Sequence, residues 1–381
     1  MLSLHTNNAA LSAQSSLSRT QGSLSTSMTR LSTGFRINSA MDDAAGLQIA
    51  TRLKAQTSGM AVAMRNTQNS ISMLQTAEGA LDEVGNILVR MKDLATQAAD
   101  GSSSAADKGA MQSEYDSLAS ELSNIVGNTS FGGAKMMNKK ATAGEITAAG
   151  TAATAANTAS GTADTGYTTA LGALTTAQGT YTTTPNATNK AALDTAQATH
   201  DTALKTKTDA NNLKNLTAAY STAASASASA TDGSLSASIS FQIGASSGET
   251  MALDLSTDLG AVHTALRNVS AVYNSFGAAV SGTSTELTTS ASATIDKLQT
   301  AIDKVSTVRS GMGAAANRLD HVYNNLSNVS SNTQSAVGRI MDVDFATESA
   351  KMTSNQMLMQ AGTAMLKQTN SMSSMVMSLL Q

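Results

Sequence analysis

Cysteine and tryptophan are absent from the 381 residues, proline occurs once, and aromatic residues make up 3%. Without cysteine no disulfide framework and no cysteine-ligated zinc site can form. That absence suits an exported chain, although many cytosolic proteins share it. With so few large rings, a compact globule would lack a main source of buried area. Long helices meeting along narrow seams need only Leu, Ile, Val, Met and Ala, and methionine alone supplies 20 residues. The composition favours rods over a ball. No stretch of about 18 apolar residues is present to span a bilayer. The net charge of −3 gives no bulk attraction to nucleic acid or to an anionic membrane. The N-terminus also lacks the charged start and continuous apolar run of a cleavable secretory signal. Its first acidic residue is Asp42, preceded by Arg19, Arg30 and Arg36 as the firm charges.

What is present is heptad spacing. Ala10, Leu17, Leu24 and Leu31 recur every seven residues and predict a helix with one apolar seam. At the other end Leu358, Met365, Met372 and Leu379 repeat with the same period, with Ala361 and Val376 between them. Each seam is too narrow to hold a helix alone, so the two ends are expected to pair. The methionines are rich enough to imply contacts on more than one face. Between the ends, Leu53, Met60, Leu74, Leu81 and Leu88 keep one phase from Asp43 to Asp100. Those roughly 58 residues would make a rod of nearly 90 Å, with Gly59, Gly79 and Gly85 as sites of a bend or break. Gly101–Ser104 closes it. Met111, Tyr115, Leu118, Leu122 and Ile125 form a second seam ending at Gly127-Asn128, and Ile295, Leu298, Ile302, Val305, Met312, Leu319 and Leu326 form a third. Three such seams predict a helical bundle.

The chain is organised around Thr29–Ala50. Thr33-Gly34 ends the first helix, since glycine tolerates the left-handed conformation at that position. Phe35–Asn38 reads as a short extended crossing. Ser39 is then expected to cap the next helix, with Asp42 and Asp43 near its positive end.

Between Ala141 and Ala237 the composition shifts to Ala, Thr, Ser and Gly, compatible with a disordered linker or with helix. Tyr167, Leu171, Leu174, Ala177 and Tyr181 keep helical spacing, Pro185-Asn186 makes a turn, and Leu193, Ala196, His200 and Leu204 resume the pattern. The spacing predicts an antiparallel helical hairpin, continued through Leu213, Leu216 and Tyr220 after a break at Asn211-Asn212. From Ser238 the period changes to two: Ile239, Phe241 and Ile243 alternate, Ser246-Ser247-Gly248 turns, and Met251, Leu253 and Leu255 alternate again, predicting a β-hairpin over 238–256.

No catalytic constellation emerges. His5, His200, His263 and His321 are scattered, and no zinc-protease helix, nucleophile elbow or phosphate loop occurs. Asp342-Val343-Asp344 opens like a calcium loop but lacks the glycine and the twelfth-position glutamate, so a helix cap is the better reading. No catalytic, cofactor-binding or metal residue is assigned.

The residues do carry a family resemblance. RLSTGFRINSAMDDAAGLQIA from Arg30, ALDEVGNILVRMKDLATQAAD from Ala80, and the closing block VRSGMGAAANRLDHVYNNLSNV from Val308 with RIMDVDFATESAKMTSNQMLMQAGTAML after it resemble bacterial flagellin. The similarity covers about 1–140 and 290–381, with the hairpin FQIGASSGETMALDLS. The MLSLHTN opening resembles flagellins of lateral or secondary systems. The resemblance implies a mostly α fold: residues 1–42 and 343–381 paired as a coiled coil in the inner filament core, 43–140 and 238–342 as an outer-core bundle with its β-hairpin, and 141–237 as a variable surface insert. It implies an extracellular filament subunit for swimming or swarming, exported by the flagellar type III apparatus without a cleaved signal, with no cofactor. Expected partners are further copies of itself, the export apparatus, a chaperone on the C-terminal segment, the filament cap and the hook-associated junction proteins. A hook-filament junction protein with the same terminal architecture is the alternative.

Three residue sets follow. The polymer seam is Leu17, Leu24, Leu31, Leu358, Met365, Met372 and Leu379. Asp42, Asp43, Gly46 and Leu47 match the peptide sensed by plant receptor kinases, while Thr29, Phe35 and Met41 depart from it. Arg90, Leu94 and Glu114 match positions read by the animal flagellin-sensing receptor, with Lys92 and Asp93 where Arg and Glu are common; Arg and Lys are not equivalent in a forked contact.

Overall fold

The computed structural model describes residues 7–276, 280 and 282–379, with backbone alone for 372–379. It is a mostly α fold: eight α-helices and two short antiparallel hairpins among the described residues. By contacts the chain divides into two compact units, one of 1–65, 244–249 and 323–381, the other of 66–243 and 250–322. The expected edges of the paired termini, at 42 and 343, therefore fall inside the first unit.

Helix α1 spans Asn8–Thr33, α2 Ala44–Ala99 and α3 Ala105–Asn128. The heptad residues of α2 point inward as the spacing required: Met60 is 2% exposed and Leu74, Leu81 and Leu88 are fully buried. The helix is continuous through its glycines, so the expected break does not occur there. At Gly59 a Cβ would stand 2.8 Å from that of Ala245, so the missing side chain admits the neighbouring hairpin turn rather than loosening the helix. Ser104 and Asp107 cap α3 reciprocally, which satisfies two orphan amides at its start.

The second unit has one main core. Leu74, Leu81 and Leu88 meet Tyr115 and Leu122 of α3, and Leu298, Val305, Met312 and Leu319 of α7 (Glu286–Met341). Strands β1 (Ser130–Phe131) and β2 (Ala134–Lys135) form a minimal hairpin. The expected second hairpin is present as β3 (Ile239–Gln242) and β4 (Thr250–Leu253), paired with Phe241 opposite Met251, both buried in that core. Helix α6 (Ser256–Val269) adds Leu259, Val262 and Leu266. His263 of α6 is buried between two polar partners, Tyr273 Oη at 2.8 Å and the Met137 carbonyl at 2.9 Å. A carbonyl only accepts, so Nε2 carries the hydrogen and Nδ1 accepts from the tyrosine. Burial pushes the imidazole down to a pKa of about 4, so the ring is neutral in the fold.

Helices α4 (Ala143–Thr183) and α5 (Ala187–Ser227) form the antiparallel hairpin that the Ala-rich spacing suggests, and no disordered linker is seen. Asn186 caps α5 through the Asn189 amide at 2.8 Å. Most of the facing side chains are small, with Ala149, Ala156, Ser160 and Ala170 buried alongside Leu174. The expected break at Asn211-Asn212 is absent: Asn211 takes a 2.7 Å hydrogen bond from Ser160 across the pair, a role that favours continuing the helix. The hairpin's base is not separable from the bundle. Leu216 and Leu235 lie in the main core, Ala219 and Ala223 pack against it, and the Leu235 amide donates to the Met136 carbonyl at 2.9 Å. The insert boundary of 141–237 thus cuts through buried residues.

Candidate assembly site at the paired termini

In the first unit, two chain crossings lie side by side. Helix α1 ends where Gly34 takes φ +76° and its amide returns to the Arg30 carbonyl at 2.9 Å. Phe35 then pairs antiparallel with Asp342. The Arg36 amide donates to the Met341 carbonyl at 2.6 Å, the Val343 amide to the Gly34 carbonyl at 3.0 Å, and the Arg36 guanidinium to the Ile340 carbonyl at 2.9 Å. The extended crossing is therefore clamped to the turn between α7 and α8 (Phe345–Leu379).

Ser39 does not cap α2. It opens a turn, accepting the Asp42 amide at 3.0 Å, while the Asp42 carboxylate takes the Asn38 and Ser39 amides at 3.1 and 2.9 Å. Asp43 stands four residues later, next to the first helical residue, and accepts the Gly46 amide at 2.8 Å, which is the capping role. Ile37 is 2% exposed, and a Cβ on Gly46 would lie 2.9 Å from its Cδ1. Leu47 is half-buried. At the second crossing Asp344 caps α8, taking the Ala346 amide at 3.0 Å and the Thr347 hydroxyl at 2.6 Å. Those bonds hold its carboxyl below the usual range.

Helices α1 and α8 then run antiparallel. Ser27 donates to Glu348 at 2.6 Å, Gly362 faces Leu17, and the Asn7 amide group reaches the Thr369 carbonyl at 3.4 Å. On α1, Leu24 is buried, and Leu17 and Leu31 are half-buried. On α8, Leu358 and Met365 do not lie on the side that faces α1. Leu358 is 59% and Met365 63% exposed. The covered side of α8 is Glu348 with the half-buried Met352, Asn355, Met359, Gly362, Leu366 and Thr369. Methionine-rich α8 carries two apolar repeats of seven, and the one that faces α1 is headed by a carboxylate, whereas the exposed one is purely apolar. The side chains of Met372 and Leu379, and His5, lie outside the described residues.

Leu358 and Met365 instead join a set of large apolar side chains left bare on this unit. Leu11, Met28, Phe345, Met357, Leu358 and Met365 are each 55–63% exposed, and Met41 is 94% exposed.

In the second unit, Arg90 forks onto one Glu114 oxygen at 2.9 and 2.6 Å, and both side chains are about half exposed. Lys92 donates to Gln299 at 2.6 Å. Leu94, matched above to a receptor contact, is 3% exposed in the core and presents no surface to a partner. Among the described residues no group of three or more His, Asp or Glu could hold a metal ion, and no helix is long and apolar enough to cross a membrane.

Residues 4–142 match the bacterial flagellin N-terminal helical region, and residues 295–380 match the C-terminal helical region. The chain is 34% identical over 393 residues to Flagellin A of Vibrio anguillarum, covering 100% of both chains. It is 34% identical over 385 residues to Polar flagellin F of Vibrio parahaemolyticus, covering 100% of this chain and 99% of that one. The chain belongs to the bacterial flagellin family. As a flagellin it is a structural subunit that polymerises into the extracellular flagellar filament, and the junction-protein alternative is not favoured. A solved flagellin from Bacillus cereus is 23% identical, covering 69% of this chain and 88% of that chain at a TM-score of 0.35, a likeness too loose to add to the sequence match.

Proposed function

We propose that the paired termini, α1 with α8, are the part of this flagellin that copies use to hold one another in the filament. The observation that carries this reading is the bare apolar set on that unit, headed by Met28, Met357, Leu358 and Met365. Burying it between copies would supply about 25 cal/mol per Å² of apolar area removed from water. The test is removal of residues 1–36 and 343–381. The shortened chain is expected to keep its helical bundle by circular dichroism and to form no filaments; filaments from it would refute the reading.

The same reading extends to the partners. The chain leaves the cell through the flagellar export apparatus, its C-terminal segment held by a chaperone beforehand, and adds beneath the filament cap beyond the junction proteins. Exposed methionines on α8 suit a chaperone groove, because a flexible thioether fits irregular apolar surfaces. No catalytic step is part of this role. For host recognition, Arg90 and Glu114 form an exposed pair that a receptor can meet, and Asp42, Asp43, Gly46 and Leu47 remain the proposed plant epitope. In the folded chain those four serve the joint, so a plant receptor would need the segment released. Substituting Arg90 by Ala should lower signalling by receptor-bearing animal cells while filaments still form; unchanged signalling would remove the pair from the proposal.

A further inference from the structure

The α1–α8 seam has a register problem. Its apolar members recur every seven residues on both helices, as Leu17, Leu24 and Leu31 on one and Met352, Met359 and Leu366 on the other. A slip of one heptad, about 10 Å along the axis, would set each apolar row against an equivalent row of the other helix and lose little apolar burial. Something that does not repeat must choose.

The one charged residue fully inside this seam is Glu348, 4% exposed. It accepts the hydroxyl of Ser27, itself buried, at 2.6 Å. Arg30 lies 4.0 Å away on α1 and also faces Asp42 at 3.7 Å, and Lys351 lies 3.7 Å from the same carboxylate. A buried carboxylate without donors is strongly disfavoured, whereas one with a hydroxyl and two cations is tolerated. After a one-heptad slip Glu348 would face Thr20, and Arg30 would lie ten residues off, about 15 Å. Gly362 would then leave Leu17, whose Cδ1 sits 3.3 Å from where a Cβ on Gly362 would stand, and Asn355 would take that place. The backbone clamp of Gly34–Arg36 on Ile340–Val343 resists slippage at one end of the pair, so a slipped register requires those bonds to open as well.

We infer that Glu348, through Ser27 and Arg30, is the positioning residue that fixes the register of the terminal helices, so that every copy presents its apolar set at the same height. The inference rests on the reading that copies polymerise through these helices.

The chain has no cysteine, so engineered pairs report cleanly. In the native register Ala13 falls opposite Leu366, and after a one-heptad slip opposite Met359. Filaments of Ala13→Cys/Leu366→Cys and of Ala13→Cys/Met359→Cys are oxidised and the cross-linked fractions compared. The unmodified seam is expected to favour the native pair by about tenfold or more, since charge-assisted bonds are lost on slipping. Glu348→Leu should bring the two fractions within about threefold, because an apolar side chain suits either register. Glu348→Gln, which keeps an acceptor for Ser27 and Arg30, should stay native. Exclusive native cross-linking in Glu348→Leu would overturn the inference and leave the backbone clamp as the sole register device. Should Glu348→Leu form no filaments, the exchange Ser27→Glu/Glu348→Ser decides: native cross-links in its filaments support the inference, and slipped pairs or loss of assembly overturn it. Equal cross-linking in the unmodified seam, with filaments intact, would defeat the register claim and leave polymerisation through the termini standing.

Discussion

Three single side chains show how local chemistry sets the larger features. Gly46 has no room for a methyl, with the capping carboxylate of Asp43 and Ile37 Cδ1 both close against it. Gly46→Ala must displace the cap or the buried Ile37, at about 1–3 kcal/mol. Because the damage falls on the joint between α1 and α2, filaments should dissociate at lower temperature while the bundle melts as before. A lowered melt of the bundle itself would place Gly46 outside the joint's energetics. His263 gives a pH signature. Its folded pKa of about 4 lies below the ordinary 6.5, so between those values the unfolded chain binds a proton that the folded chain refuses. Stability must therefore fall as pH drops from about 6.5 to about 4, by about 3 kcal/mol at most for a group so buried. Urea unfolding of His263→Gln at pH 7, 5 and 4 should show a flatter dependence than the natural chain. An unchanged slope would mean that other groups carry it. Leu94 shows the opposite lesson, since a match of residue type to a receptor motif says nothing about whether the side chain is exposed.

Among the elements, the long helices were legible because their seams bury one residue type every seven positions. Leu74, Leu81 and Leu88 could face nothing but a core, and the alternation at Phe241 and Met251 fixed the hairpin's inner face. Legibility failed where two phases competed or where a polar residue worked in a seam. On α8 the Leu358–Met365 repeat outshone the half-buried Met352–Met359–Leu366 repeat, because the latter is interrupted by Glu348, Asn355 and Gly362. Asn211 has the composition of a helix breaker, but its amide oxygen accepts from Ser160 across the pair. The base of the insert was hidden for a related reason: Leu216 and Leu235 are isolated apolar residues in polar company, and burial could not be seen without the fold. This has a direct consequence. Ser160 and Asn211 touch, so deleting 161–210 and closing the gap with a short turn should leave the bundle's melt within a few degrees and filaments intact. Deleting all of 141–237 removes two core leucines, each worth about 2–5 kcal/mol, and should lower the melt sharply. Equal behaviour of the two deletions would show that the base is dispensable.

At the scale of the whole molecule, the two units differ in how they are held. The bundle has a deep core running from Leu74 to Leu319, whereas between α1 and α8 only Leu24, Ser27 and Glu348 are fully covered among the described side chains. So shallow a seam offsets little of the entropy lost on ordering two helices. Brief proteolysis of the unpolymerised chain should therefore trim residues near 1–36 and 343–381 and leave a resistant middle; intact termini would show that the pair is stable unaided. The deficit is made good, on this account, when copies cover the bare apolar set. Met365 tests that most directly, since it is 63% exposed and makes no demand on its own chain's fold. Met365→Asp should melt as the natural chain does when unpolymerised, because an exposed carboxylate is harmless there. In a filament the same carboxylate would be buried without a partner, at a cost of several kcal/mol. Electron microscopy of the variant mixed with short seeds of the natural protein at neutral pH should show seeds that do not lengthen. Seeds that grow normally would contradict the account and place the holding contacts elsewhere.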